Sequence, residues 1–273
     1  MAASLDQIVA ATRRRVAEAK RSADLPRLER TAEQHVPRGF RRALATESQR
    51  GPAVIAELKK ASPSRGLIRA NFDPQGLAAE LHAAGAAALS VLTDEEFFQG
   101  SLDNLRRASA STTLPCLQKD FIVDDFQLLQ ARACRADAVL LIVAVLSQLE
   151  LMDLTKKSRA LGLDVLCEAH SKDELQRALD AGSDLVGVNN RDLRTFKVDV
   201  NTALRLAEAI PRHVISVAES GIDNGADIAR LRGAGYQAFL IGESLMKAES
   251  PAEALKGLLA DADRAGSALS TRD

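Results

Sequence analysis

Ala53-Val54-Ile55-Ala56-Glu57-Leu58-Lys59-Lys60-Ala61-Ser62-Pro63-Ser64-Arg65-Gly66 is the stretch from which the fold of this chain can be read. It opens as an apolar run and closes as a polar loop. A strand places alternate side chains on one face, so Glu57 and Lys59 project together from the end of a buried strand, an acid beside a base. Pro63 lacks an amide donor and Gly66 invites a turn, so Ser-Pro-Ser-Arg-Gly leaves the sheet at the same rim. Chemistry at a strand end is the expectation.

Outward from this segment, short β-rich runs alternate with longer helical patterns, the signature of βα units around a parallel sheet. Eight strands are expected, at 54–59, 88–92, 116–119, 138–143, 165–168, 185–189, 214–218 and 238–241. Helical patterns lie between them, as at 74–84, 125–133, 149–161, 172–181, 200–209 and 225–234. Asp73-Pro74 is a helix start, while Gly85, Gly162, Gly182 and Gly235 close helices. Eight βα units in about 210 residues match the size of a (β/α)8 TIM barrel, whereas a doubly wound sheet usually carries a glycine-rich turn after its first strand. No such turn is present here. The expected organisation is an N-terminal helical extension over 1–50 packed on the barrel, a barrel over 51–265 and a tail over 266–273.

The formal net charge of −1 balances 36 basic against 37 acidic residues, which argues against a nucleic-acid binder defined by bulk positive charge. Cys116, Cys134 and Cys167 are odd in number and widely spaced, as expected in a reducing cytoplasm. The longest apolar stretch, Ala138 to Leu146, falls far short of the roughly 20 residues that span a bilayer, so a soluble protein away from membranes is expected. Ser4 reads as the cap of an amphipathic helix with Leu5, Ile8, Val9, Thr12 and Val16 on one face. Arg13-Arg14-Arg15 reads as its solvated side.

In a barrel of this kind the carboxyl ends of the strands build the active site. Six of the eight expected strands end in polar residues: Glu57 and Lys59, Lys119-Asp120, Glu168, Asn189-Asn190-Arg191-Asp192, Glu219-Ser220-Gly221 and Gly242-Glu243-Ser244. Any one lysine or glutamate after a strand is more often a solvated loop residue, and Lys119 has Asp120 and Asp124 as surface partners. Six together call for a functional reading. Period-two counting puts Glu168 on the face of Leu166, pointing into the barrel near Lys59 and Lys119. Ser220-Gly221 and Gly242 let backbone amides approach an anion, and the loops after strands seven and eight are the usual phosphate site of such barrels; the glycines would equally serve tight turns. His35, His82, His170 and His213 lack metal-ligand spacing, and His170, two residues after Glu168, could line the mouth but reads rather as a loop residue that orients or caps the following helix.

With these residues in view, the chain resembles the indole-3-glycerol phosphate synthase family from about residue 50 to 250. The resemblance runs through Glu57-Leu58-Lys59-Lys60-Ala61-Ser62-Pro63-Ser64, Val91-Leu92-Thr93-Asp94, Phe97-Phe98-Gln99-Gly100-Ser101 and Lys119-Asp120-Phe121-Ile122. It continues through Asn189-Asn190-Arg191-Asp192-Leu193, Glu219-Ser220-Gly221-Ile222 and Ile241-Gly242-Glu243-Ser244-Leu245-Met246. It implies conversion of 1-(2-carboxyphenylamino)-1-deoxyribulose 5-phosphate into indole-3-glycerol phosphate with loss of carbon dioxide and water, with no redox cofactor or metal. Lys119 matches the general acid that protonates the attacked ketone oxygen. Lys59 is the candidate acid for dehydration, with Glu57 or Glu168 as base.

By the same resemblance Asn189 and Arg191 fall near the substrate carboxylate, where a guanidinium can donate two hydrogen bonds. Ser62, Gly221, Gly242 and the backbone of Glu243 match the phosphate region, with Glu219 and Ser220 beside it and the Glu243 side chain turned away. Phe98, Phe121, Leu140 and Ile142 suit apolar walls for an aromatic ring, although the two phenylalanines also suit a core. The first loop, 61–71, is longer and more polar than a minimal connection, as expected of a cover over the substrate. Gln118, and Arg135 in a turn where a small residue is usual, are less typical of the family. Phosphoribosylanthranilate isomerase, a barrel with a similar phosphate site, is the competing enzyme reading, but its cysteine is missing from the first strand. A barrel that binds phosphorylated ligands without catalysis is the other alternative. A monomer with a small phosphorylated substrate is expected.

Overall fold

The protein is described from a computed structural model covering residues 4–192, 195 and 197–270. Eight strands form a closed parallel barrel: β1 Ala53–Leu58, β2 Ala88–Leu92, β3 Cys116–Lys119, β4 Ala138–Ile142, β5 Asp164–Ala169, β6 Leu185–Asn189, β7 Ile215–Glu219 and β8 Ala238–Ile241. Neighbours in sequence are neighbours in the barrel, and β8 closes on β1 with Ile55 opposite Leu240. The expected (β/α)8 barrel with helices ahead of its first strand is what forms. Differences fall at element edges: β7 runs one residue further and takes in Glu219, and Val143 leaves β4 for a short 3-10 turn.

Alternation along the strands sorts the core into two layers. Ile55, Leu117, Leu140, Leu166, Val217 and Leu240 fill the lumen, whereas Val54, Val91, Val139, Cys167, Val186 and Phe239 face the surrounding helices. Each large apolar side chain buried this way stabilises the fold by roughly 1.5–3 kcal/mol.

The helices on the outside are α4 Pro74–Ala83, α6 Leu102–Ala110, α7 Asp125–Ala133, α8 Gln148–Ala160, α9 Lys172–Asp180, α10 Asn201–Leu206, α11 Gly225–Gly233 and α13 Pro251–Ser270, with short α5 Glu95–Phe98 and α12 Glu243–Lys247. Asp73 caps α4 through the amides of Gln75 and Gly76, and Gly85 and Gly235 leave α4 and α11 at φ of 98° and 106°. Arg135 does the same work after α7 at φ 69°, a left-handed conformation that costs a residue with a Cβ about 1–2 kcal/mol. The expected 200–209 helix breaks into α10 and a 3-10 turn at 207–209, and α13 runs on to Ser270, across the expected start of the tail at 266. Residues 271–273 of that tail lie outside the described residues.

The N-terminal segment travels the length of the barrel as three helices, α1 Leu5–Ser22, α2 Leu25–Glu33 and α3 Phe40–Ser48. Helix α1 starts with the Ser4–Gln7 capping box and lies across the carboxyl ends of the strands, α2 packs beside α7, and α3 seals the opposite end. Phe40 and Leu44 of α3 are fully buried among Ala53, Ala138, Leu185, Ile215 and Ala238, the first residues of five strands. A buried carboxylate, Asp137, holds the segment between α2 and α3. It accepts from the Arg38 amide at 2.6 Å, the Arg38 guanidinium, His35 Nε2 at 3.2 Å and the Cys116 amide at 2.7 Å.

Candidate active site

The pattern that carries Ile55 into the lumen carries Glu57 to its carboxyl end and Lys59 to the rim. Lys59 Nζ pairs with Glu57 Oε1 at 2.5 Å, and Ser90, opposite Glu57 on β2, donates to Glu57 Oε2 at 3.4 Å. In the same lumen, Lys119 Nζ reaches Glu168 Oε2 at 2.7 Å and Glu219 Oε2 at 3.2 Å. The expected cluster thus resolves into two lysine–carboxylate centres: Glu168 belongs to Lys119, while Lys59 pairs with Glu57. The surface partners open to Lys119 in the sequence, Asp120 and Asp124, are taken up elsewhere. Asp120 accepts from Thr93 at 2.5 Å, and Asp124 pairs with Lys20 of α1.

Electrostatics divide the two carboxylates around Lys119. Both are 1% exposed, and burial by itself pushes each pKa up. For Glu168 the Lys119 charge outweighs burial, with His170 adding to it, and the pKa falls below the usual range. For Glu219 burial and the Glu168 charge prevail over Lys119, pushing it up to about 8. Burial would discharge Lys119, but Glu168, Glu219 and Glu57 hold it protonated, above lysine's ordinary value. The centre therefore sets a charged ammonium against one carboxylate held ionised and a second whose burial favours the proton.

Space for the Glu219 carboxyl comes from Gly187 on β6. A Cβ at Gly187 would stand 2.0 Å from Glu219 Oε1. Gly242 gives Glu57 the same room, since a Cβ there would lie 2.7 Å from Glu57 Oε1. After β7 the chain turns through Ser220 at φ 65° and Gly221 at φ 71°, and Asn190 Nδ2 donates to Ser220 O at 3.0 Å. A left-handed serine at a strand end marks a turn held by its surroundings. This turn, Gly242, Glu243 and Ser244 line a pocket that adjoins the cavity around the two lysines and shares Glu57, Lys59, Arg191 and Glu243 with it.

The remaining expected residues surround the same cavity. Ser62, Phe98, Phe121, Leu140, Ile142, Asn189, Arg191, Glu219, Ser220 and Glu243 line it with the two lysines, and Phe98 and Phe121 stand with ring centroids 6.3 Å apart. Ser62 Oγ is buried without a hydrogen-bond partner. Arg191, whose amide donates to Asn189 Oδ1 at 3.0 Å, also places its guanidinium 3.4 Å from Glu243. The Glu243 carboxylate further pairs with Lys247 at 2.6 Å and with Arg65 of the first loop at 3.1 Å. That loop folds as a small hairpin, Ala61–Ser62 against Gly66–Leu67. Leu193, the last residue of the strand-six motif, lies outside the described residues.

Two contributions escaped the sequence reading, and a third, His170, reads there chiefly as a helix-orienting residue. Leu5 and Ile8 of α1 line the cavity. Arg15, expected on a solvated face, instead donates through both terminal nitrogens to buried Asp94 at 3.1 Å, and lies 3.8 Å from Asp120. His170 contacts helix α9 through Glu174, as a residue orienting that helix would, but its ring also reaches Glu168 at 3.4 Å. The sequence did hold a signal for His170, which stands two residues from Glu168 and so on the same side of the strand. Nothing local marks Arg15, because its partners are about 80 and 105 residues away.

Fold and site together define a (β/α)8-barrel enzyme with two lysine–carboxylate pairs at the carboxyl ends of its strands. Solved barrels agree on the fold alone: a mandelate oxidase variant at 15% identity and TM-score 0.62, covering 87% of this chain and 93% of that one, and a thiamine phosphate pyrophosphorylase from Pyrococcus furiosus at 17% and 0.57, covering 80% and 98%. The sequence pattern of the indole-3-glycerol phosphate synthase family matches residues 5–258. The indole-3-glycerol phosphate synthase of Koribacter versatilis is 58% identical over 95% of this chain and 100% of its own, and that of Burkholderia ambifaria 48% identical over 92% and 97%. The chain belongs to the indole-3-glycerol phosphate synthase family.

Proposed function

We propose that the two lysine centres act in sequence on 1-(2-carboxyphenylamino)-1-deoxyribulose 5-phosphate. Carbon–carbon bond formation at the ketone builds charge on its oxygen, and Lys119, kept protonated by its carboxylates, supplies the proton. Loss of carbon dioxide restores the aromatic ring. Lys59 then protonates the departing hydroxyl, and Glu168, ionised and buried, takes the proton from the adjacent carbon; Glu57 holds Lys59 in place. Two protons enter and one leaves, which matches the decarboxylation of a carboxylate.

The substrate's two anionic ends suit the cavity and the pocket that adjoins it. The Ser220–Gly221 turn, Gly242, the Glu243 backbone and the unpartnered Ser62 hydroxyl suit the phosphate, and Asn189 with Arg191 suits the carboxylate. The ring lies between Phe98, Phe121 and Leu140, with Leu5 and Ile8 across from them. The 61–71 hairpin, tied to Glu243 through Arg65, is the cover that excludes water. We also read the chain as a monomer of the cytoplasm, with an extension over 1–50 and a barrel from 51; no described helix is long and apolar enough to cross a membrane.

The observation carrying this reading is Lys119 Nζ at 2.7 Å from the buried Glu168 carboxylate at the carboxyl end of the lumen. Steady-state indole fluorescence with this substrate tests it. Lys119→Ala is expected to lose on the order of 10²–10⁴ in kcat, the range of general acid catalysis, with KM little changed. Turnover by Lys119→Ala near the wild-type rate would remove the acid assignment.

A further inference from the structure

Glu168 meets a different nitrogen-bearing side chain at each oxygen. Lys119 Nζ sits 2.7 Å from Oε2, and His170 Nε2 sits 3.4 Å from Oε1. His170 is itself gripped from the other side, because its amide and ring Nδ1 both meet Glu174 Oε2, at 2.8 and 3.1 Å. Its Nε2 is buried and forms no hydrogen bond.

Ionised carboxylates only accept hydrogen bonds, so an imidazole between two of them has an N–H for each only when both nitrogens are protonated. The neutral ring with its proton on Nδ1 would aim the Nε2 lone pair at Glu168 Oε1. The groups facing His170 are Glu168 of β5, Glu174 of α9 and, further off, Glu219 of β7; Lys119 of β3 lies on the far side of Glu168.

We propose that His170, as an imidazolium braced by Glu174, is a positioning residue that fixes the Glu168 carboxylate for proton abstraction. The proposal rests on Glu168 being the base. A buried carboxylate with one cation can rotate about its last bond and shift which oxygen faces the substrate; a cation on each oxygen removes that freedom. Burial alone would lower the His170 pKa, but Glu174 and then Glu168 outweigh it and raise it above 6.5. The brace is thus present below the His170 pKa and is lost as pH rises through it.

Two readouts on the full-length enzyme test this: NMR titration of the His170 ring, assigned by difference against His170→Gln, and the pH profile of kcat. Wild type should titrate above 6.5, with kcat falling on the alkaline side at the same pH. Glu174→Gln should move both inflections to lower pH together. His170→Gln should lose the inflection and about tenfold in kcat with KM unchanged, less than the loss for the base itself. A His170 titration that shifts in Glu174→Gln while the kcat profile stays put would overturn the proposal. So would wild-type kcat in His170→Gln. Should His170→Gln fail to fold, Glu174→Gln still decides the matter. Glu168→Gln separates the two readings: a dead Glu168→Gln with indifferent His170 and Glu174 variants sinks only the brace, whereas an active Glu168→Gln overturns the base assignment as well.

Discussion

Lys119 stands within hydrogen-bond reach of two buried carboxylates, Glu168 and Glu219, and the three pKa values are shifted by one another as well as by burial. Carboxylates hold Lys119 charged, Lys119 with His170 beside it holds the Glu168 pKa down, and burial pushes that of Glu219 up. This arrangement bears on stability. Glu219 titrates near 4.5 when unfolded and about 8 when folded, so between those values the native state holds a proton that the unfolded chain has lost. Its contribution is full below about 4.5 and disappears as pH rises to about 8. Urea midpoints across this range should fall less steeply for Glu219→Gln, whose amide cannot ionise; identical slopes would mean that Glu219 is already ionised at neutral pH.

At the scale of elements, strand β6 matters for what it lacks. Gly187 stands opposite Glu168 on β5 and Val217 on β7, and leaves the space that the Glu219 carboxyl fills. Gly187→Ala is expected to swing that carboxyl off Lys119, since the obstructing atom is the end of a flexible side chain. A tenfold or greater fall in kcat with little change in urea midpoint is the expected outcome, and an unchanged kcat would show that Lys119 needs Glu168 alone. The strands and their inward residues were legible because period-two alternation is local, as with Glu57, Lys59 and Glu168. The pairing of Lys119 with Glu168 and Glu219, rather than with Asp120, depends on barrel closure and so on contacts 49 and 100 residues apart. Arg15 failed for the same reason: a run of three arginines reads as a solvated face until the fold brings Asp94 beneath it.

For the whole molecule, the N-terminal segment joins the two ends of the barrel. One end, α1, supplies part of the cavity wall; the other, α3, closes the bottom, with Asp137 as the fastening between. Asp137→Ala would leave the Arg38 guanidinium and the Cys116 amide without their partner far from the chemistry. A loss of about 3–5 kcal/mol in urea unfolding is expected, as for breaking one side of a buried ion pair, with kcat of the folded fraction preserved. A stable variant with impaired kcat would instead link the bottom of the barrel to the site.

The two-centre account is tested most directly by single turnover with carbon dioxide release and indole fluorescence followed together. Wild type should release both in equal amounts, Lys119→Ala neither at a comparable rate, and Lys59→Ala carbon dioxide without a matching rise of indole. Loss of both signals in parallel in Lys59→Ala, or indole formation by Lys119→Ala at the wild-type rate, would contradict the division of the chemistry between the two lysines.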